Sequence, residues 1–187
     1  MRTLARVSLV TAIGLGVGGC AERSARSAVE TAENQIAAIR DEAQKVAPDR
    51  LKSLSDSLES IKSRLSGGDY RSVVMSARSI SALTRDLEAN MANTRSQLQT
   101  AFQSASNELP GQLDAAIAKV NQVAGLRRLP AGIDPAKFNT LQTESATWMD
   151  SWNKAKADFD AGNLAQAMSA VNSLRAKVRE VGNLLGT

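Results

Sequence analysis

The amino-acid sequence predicts an all-α protein, an elongated antiparallel bundle of about six helices with coiled-coil-like heptad faces. Three observations carry this expectation. Apolar residues recur at alternating steps of three and four through nearly all of the chain after residue 24, the period that buries one face of a helix. Runs in which apolar and polar residues alternate one by one, the mark of a half-buried strand, are missing, and the β-branched residues fall on the helical stripes instead. Gly, Pro, Asp and Asn gather at a few points where helices stop and restart.

The first stripe is Ala25, Val29, Ala32, Ile36, Ile39, Ala43 and Val46. Pro48 interrupts it, and Asp49 opens a second, formed by Leu51, Leu54, Leu58, Ile61 and Leu65. Ser66-Gly67-Gly68-Asp69 is a stop and restart, with glycine for the reversal and Asp69 as an N-cap. A long helix comes next, with Val73, Ala77, Ile80, Leu87, Met91, Leu98, Phe102, Ala105 and Leu109 on its stripe and Thr84 and Thr94 diluting it. Neither Gly nor Pro occurs between Tyr70 and Leu109, so these positions span about 60 Å as one helix; that length is why the bundle is expected to be elongated or the helix bent. Pro110-Gly111 is expected to end it, leaving a short helix on Leu113, Ala116, Ile117, Val120 and Val123. Residues 125–135 hold two Gly and two Pro and form the longest loop, with Asp134 as N-cap and Pro135 in the first turn of the next helix. Phe138, Leu141, Ser145, Trp148, Trp152, Ala155 and Phe159 predict one unbroken helix. Ala161-Gly162-Asn163 reverses the chain again, and Leu164, Ala167, Val171, Leu174, Val178, Val181 and Leu185 close it. In chain order this gives residues 24–125 as a first half with the long helix, a loop at 126–134, and a C-terminal helical hairpin at 135–187.

A faint internal repeat links the halves. Gly68-Asp69-Tyr70 corresponds to Gly162-Asn163-Leu164, and Val73, Ala77 and Ile80 correspond to Ala167, Val171 and Leu174. Each half is therefore expected to carry an antiparallel hairpin turning on glycine and a polar residue. Two copies are too few for a solenoid.

The N-terminus has its own signature. Arg2 and Arg6 precede the uncharged residues 7–19, which end in small side chains; this is the layout of an export signal over residues 1–19. The run would rise about 20 Å as a helix, short of the roughly 30 Å of a bilayer core. Directly behind it stands Cys20, the single cysteine. Val17-Gly18-Gly19-Cys20 resembles the lipobox of bacterial lipoprotein precursors, with Val where Leu is commoner. The resemblance implies cleavage before Cys20, acyl chains on its sulfur and new amino group, and residues 20–23 as the linker to the bundle. Ala21 rather than Asp at the next position implies, in that family, sorting to the outer membrane. Acyl chains contribute about 0.8 kcal/mol per buried CH₂, so several together hold firmly. Against this stand two plainer readings: an incidental small residue in an ordinary signal, or an uncleaved anchor. Residues 47–83 further resemble a family of helical bacterial envelope lipoproteins of unknown function, through Ala47-Pro48, a leucine-heptad helix, and Gly68-Asp69-Tyr70. That resemblance implies an envelope location and no established activity.

Composition excludes much chemistry. The 187 residues include no histidine and one cysteine, so Ser-His-Asp and Cys-His centres, histidine-ligated metals and an intrachain disulfide cannot be built. Without Arg2 and Arg6 the chain holds 21 basic and 19 acidic residues, a balance that does not suggest a nucleic-acid partner. The acids Glu22, Glu30, Glu33, Asp41, Glu42, Asp56 and Glu59 interleave with Arg and Lys on solvated helix faces, away from the apolar stripes where desolvation would tune a catalytic carboxylate. No catalytic residues, metal ligands or cofactor site are expected. Asp158 and Asp160 are polar turn residues beside Gly162.

Candidates for binding remain. Trp148 and Trp152 lie one turn apart, either as core or as an aromatic-lined groove for a partner. Arg127 and Arg128, in the long loop, are either solvated or poised for phosphate, an anionic polymer or an acidic protein. The expectation is a non-enzymatic, periplasm-facing, lipid-anchored scaffold, adaptor or accessory subunit of a cell-envelope assembly, held to the membrane through Cys20 and associating with an envelope protein or with itself. The alternative is a periplasmic binding module or chaperone that uses helix 138–159 as an apolar groove.

Overall fold

The computed structural model describes residues 17–186. Most of the predicted signal segment, residues 1–16, lies outside the described residues. The apolar stripes lie on six helices, facing inward: α1 (Val17–Val46), α2 (Pro48–Ser66), α3 (Tyr70–Ala124), α4 (Pro135–Ser145), α5 (Trp148–Asp160) and α6 (Leu164–Leu185). No strand occurs among the described residues, and the protein is an all-α helical bundle. Every residue of the first stripe, from Ala25 to Val46, is buried. So are Leu51, Leu54, Leu58 and Ile61 of the second.

The count of six agrees with expectation, but two boundaries do not. Pro110 lies inside α3, which continues for 55 residues, so the expected break at Pro110-Gly111 is absent. The expected single helix over 138–159 is instead two, parted at Ala146 and Thr147. The stripe through that region is nonetheless inward: Phe138, Leu141, Ser145, Trp148, Trp152 and Ala155 are all buried. A third difference lies at the start. Residues 20–23, expected as a linker, are helical within α1.

The two glycine reversals are alike in backbone. After α2, the amide of Asp69 donates to the Arg64 carbonyl at 3.2 Å, and Gly68 has φ +83°. After α5, the amide of Asn163 donates to the Asp158 carbonyl at 2.8 Å, and Gly162 has φ +80°. Both close a helix C-terminus with a six-to-one bond, and both need the left-handed backbone that glycine adopts without cost. The faint sequence repeat is thus one turn used twice.

Contacts divide the chain into two units. One contains the residues up to Ala37 together with Leu54–Thr84; the other contains Ala38–Ser53 and the residues from Arg85 onward. A division by chain order would have kept α3 whole in the first half. In the first unit Val29, Ile36, Leu58, Ile61, Val73 and Ile80 are buried, and Lys62 of α2 pairs with Glu33 of α1. In the second, Phe102, Leu109, Leu113 and Val120 of α3 join Trp148 and Trp152 of α5 and Val171 and Leu174 of α6 in one core. Met168, which the stripe did not include, is buried with them. Among the described residues, no helix is long and apolar enough to cross a membrane.

Candidate functional site

Cys20 sits in the first turns of α1, with its thiol exposed and free. Close by, Glu22 holds the Arg26 guanidinium at 2.7 Å, which leaves Arg23 as the nearest exposed cation without an ion pair among the described residues. An exposed thiol in the first turns of a helix is open to alkylation, and its thiolate is the nucleophile such chemistry needs.

Trp148 and Trp152 are each 3% exposed and belong to the core of the second unit. Of the two readings kept for them, burial favours core packing, although an edge of Trp148 lines a groove between α5 and α6. Their neighbour is a ring the spacing analysis placed on the long helix without a role. Phe102 of α3 stacks on Trp152 with centroids 5.6 Å apart and planes at 13°, and on Phe159 at 4.2 Å and 9°. Trp152 and Phe159 are seven residues apart, two turns on one face, which leaves a slot for one ring between them. That interval was the signal in the sequence for a partner such as Phe102.

Three of the grooves formed by the described residues lie on the second unit. One, of about 510 Å³, runs between α5 and α6 past Ser151, Lys154, Ser169 and Lys177. Its charges are already matched: Lys177 reaches Glu144 at 2.6 Å and Glu180 at 3.2 Å, and Lys154 reaches Asp158 at 2.8 Å. The hydrogen bonds that Lys177 donates to Glu144 and then to Glu180 raise its pKa above its ordinary value, despite an opposing cost of burial. On the first unit the same device, Glu33 and then Glu59, raises that of Lys62. A second groove, of about 570 Å³, lies between the α1–α2 junction at Pro48 and the start of α6 at Asn163.

The third, of about 530 Å³, is formed by the end of α3, the 125–134 connection and the end of α6. Its walls mix apolar side chains, among them Val123, Leu126, Pro130, Ile133, Leu184 and Leu185, with the polar Lys119, Gln122 and Asn183. Arg127 and Arg128 stand on the same connection, both exposed and neither in an ion pair among the described residues. Asp134 does what its position predicts: its carboxylate accepts from the amides of Ala136 at 2.9 Å and Lys137 at 3.4 Å and caps α4.

Among the described residues no group of His, Cys, Asp and Glu could hold a metal ion, and the buried polar side chains are Ser81, Thr84 and Ser145. The Thr84 hydroxyl, which interrupts the α3 stripe, donates to the Ile80 carbonyl at 2.9 Å, so its burial leaves no bond unmade. Comparison with protein-family models, with curated proteins and with solved structures gives no match.

Proposed function

We propose that this chain is a non-enzymatic, lipid-anchored helical protein facing the periplasm, most simply from the outer membrane, and that it serves as scaffold, adaptor or accessory subunit of an envelope assembly. One observation carries the reading: the single cysteine follows Val17-Gly18-Gly19 at the end of a short apolar run, and its thiol is exposed at the start of α1. Acyl chains on Cys20 would concentrate the bundle at one surface, where its helical faces meet a partner. The likeness of residues 47–83 to envelope lipoproteins supports the place. The burial of Trp148 and Trp152 in the core of the second unit weighs for a scaffold over a carrier or chaperone groove.

The test is intact mass and fractionation of the native chain beside Cys20→Ser. The expected result is a mature mass equal to residues 20–187 plus acyl chains, and loss of both acylation and membrane fractionation in Cys20→Ser. Partner recovery after in-cell crosslinking should fall with it. A bare thiol on purified native material, or identical fractionation and partner recovery for the two chains, overturns the proposal.

A further inference from the structure

We infer that the 125–134 connection is a membrane contact in its own right, in which Leu126, Arg127 and Arg128 dock on an anionic bilayer surface. It stands independently of acylation at Cys20. Leu126 is 51% exposed, one of three large apolar side chains so placed among the described residues, with Met75 and Leu83. Of the three, it alone is adjacent in sequence to two exposed guanidiniums. The chain from residue 115 to 133 carries Lys119, Arg127 and Arg128 and not one Asp or Glu. Asp114 and Asp134 bound this stretch; Asp134 is engaged on the amides of α4 and Glu180 on Lys177, and neither Asp114 nor any other acid forms an ion pair with Arg127 or Arg128 among the described residues. Among the described residues, nothing therefore neutralises the two arginines.

An anionic lipid surface supplies what is missing on both counts. Its headgroups give each guanidinium a counter-charge, and the acyl boundary just beneath takes an apolar side chain out of water. Leu126 is continuous with the apolar wall formed by Val123, Pro130 and Ile133, and Lys119 stands at the edge of that groove. A nucleic acid would satisfy the arginines but gives no apolar phase to a leucine held in water beside them, whereas one bilayer surface meets both needs across the loop. Dependence on Leu126 separates a bilayer from a purely charged polyanion, and binding to vesicles free of any other protein separates it from an acidic protein.

The experiment uses the full chain carrying Cys20→Ser, so that no acyl chain at that position contributes and residues 1–19 contribute equally to every variant. Co-sedimentation is measured with mixed phosphatidylglycerol–phosphatidylcholine vesicles and with phosphatidylcholine vesicles alone. Arg127→Gln/Arg128→Gln is expected to lower partitioning onto the anionic vesicles about thirty-fold, and Leu126→Asn about ten-fold, with little change on neutral vesicles. The three positions are exposed, so far-ultraviolet circular dichroism should stay that of the parent. Equal partitioning of parent and loop variants overturns the inference. So does a loss with the arginine pair but none with Leu126→Asn, which would assign the loop to a soluble polyanion. Neither result touches the acylation test on Cys20, which reads a different chain by mass.

Discussion

At Pro110 and Gly111 the backbone of α3 stays helical, whereas at Ala146 and Thr147, neither proline nor glycine, the backbone leaves the helix. Both points lie in the second unit and both sit on a 3-4 apolar stripe. The difference lies in what surrounds them. The α3 stripe passes through the proline without losing phase: Phe102, Ala105, Leu109, Leu113, Ala116, Val120 and Val123 are all buried. A break at Pro110 would turn the later members away from α5 and α6. Burying Leu113 and Val120 alone contributes about 4 kcal/mol, against a proline cost of about 3 kcal/mol in a helix interior. Packing outweighs propensity there.

At Ala146 and Thr147 no such cost opposes a break, because the stripe survives it. Two hydroxyls favour the tighter turn. Ser145 Oγ donates to the Gln142 carbonyl at 2.8 Å, and Thr147 Oγ1 donates to that of Glu144 at 2.9 Å. The Thr147 amide also donates to the Glu144 carbonyl, at 3.0 Å. All three bonds reach back three residues, where an α-helix reaches four. The departure is small, since Ala146 keeps φ −63° and ψ −21° and Thr147 moves only to φ −105° and ψ 0°. Lys177 of α6 then holds Glu144 at this corner.

The largest test of the comparison is Phe102→Ala. It removes the ring that stacks on Trp152 and Phe159 and so loosens the seam on which α3 packs as it continues through Pro110. We expect a loss of about 3–5 kcal/mol in urea unfolding, with red-shifted tryptophan emission and faster amide exchange from 106 to 113. Unchanged exchange there would detach the continuity of α3 from its packing on α5. Next is Pro110→Ala, with the opposite sign. The backbone is already helical, and an alanine amide restores the donor to the Ser106 carbonyl four residues back. Stability should rise by up to about 3 kcal/mol, read as a higher Tm at constant helicity. A fall would mean that the ring itself packs where a methyl cannot.

These residues also show what was legible in the sequence. The stripes were, and with them the buried faces, because burial depends on which side chains share a helix face. Helix ends marked by local chemistry were legible too: Gly68, Gly162 and Asp134 act where their backbone and side chains require. What failed was inference from a residue's intrinsic cost to a boundary. Pro110 carries a cost that only tertiary packing offsets, and the step of four from Leu109 to Leu113 was the one local hint that phase was kept. The corner at Thr147 depends on which carbonyl a hydroxyl chooses, a choice invisible in residue types. For the binding candidates, spacing put Trp148 and Trp152 on one face but could not say what lay opposite; Phe102 did. Arg127 and Arg128 were legible as exposed, while the leucine exposed beside them was not.

The smallest expected effect is the most discriminating for the corner. Ser145→Ala/Thr147→Ala removes both back-bonding hydroxyls and keeps a small buried side chain at the stripe position of Ser145. Each lost bond costs about 1 kcal/mol, and each alanine recovers about 0.5 kcal/mol of helix propensity. The hydroxyls leave no buried partner stranded, because the carbonyls of Gln142 and Glu144 regain amide donors once the helix closes across 146 and 147. Net stability should therefore move by no more than about 1 kcal/mol. Amide protection from 146 to 149 should rise as α4 and α5 merge, and the near-ultraviolet signal of Trp148 should change with its backbone. If protection stays low, the corner is held by the burial of Leu141 and Trp148 on either side of it, and the two irregular points of this unit would share one cause rather than two.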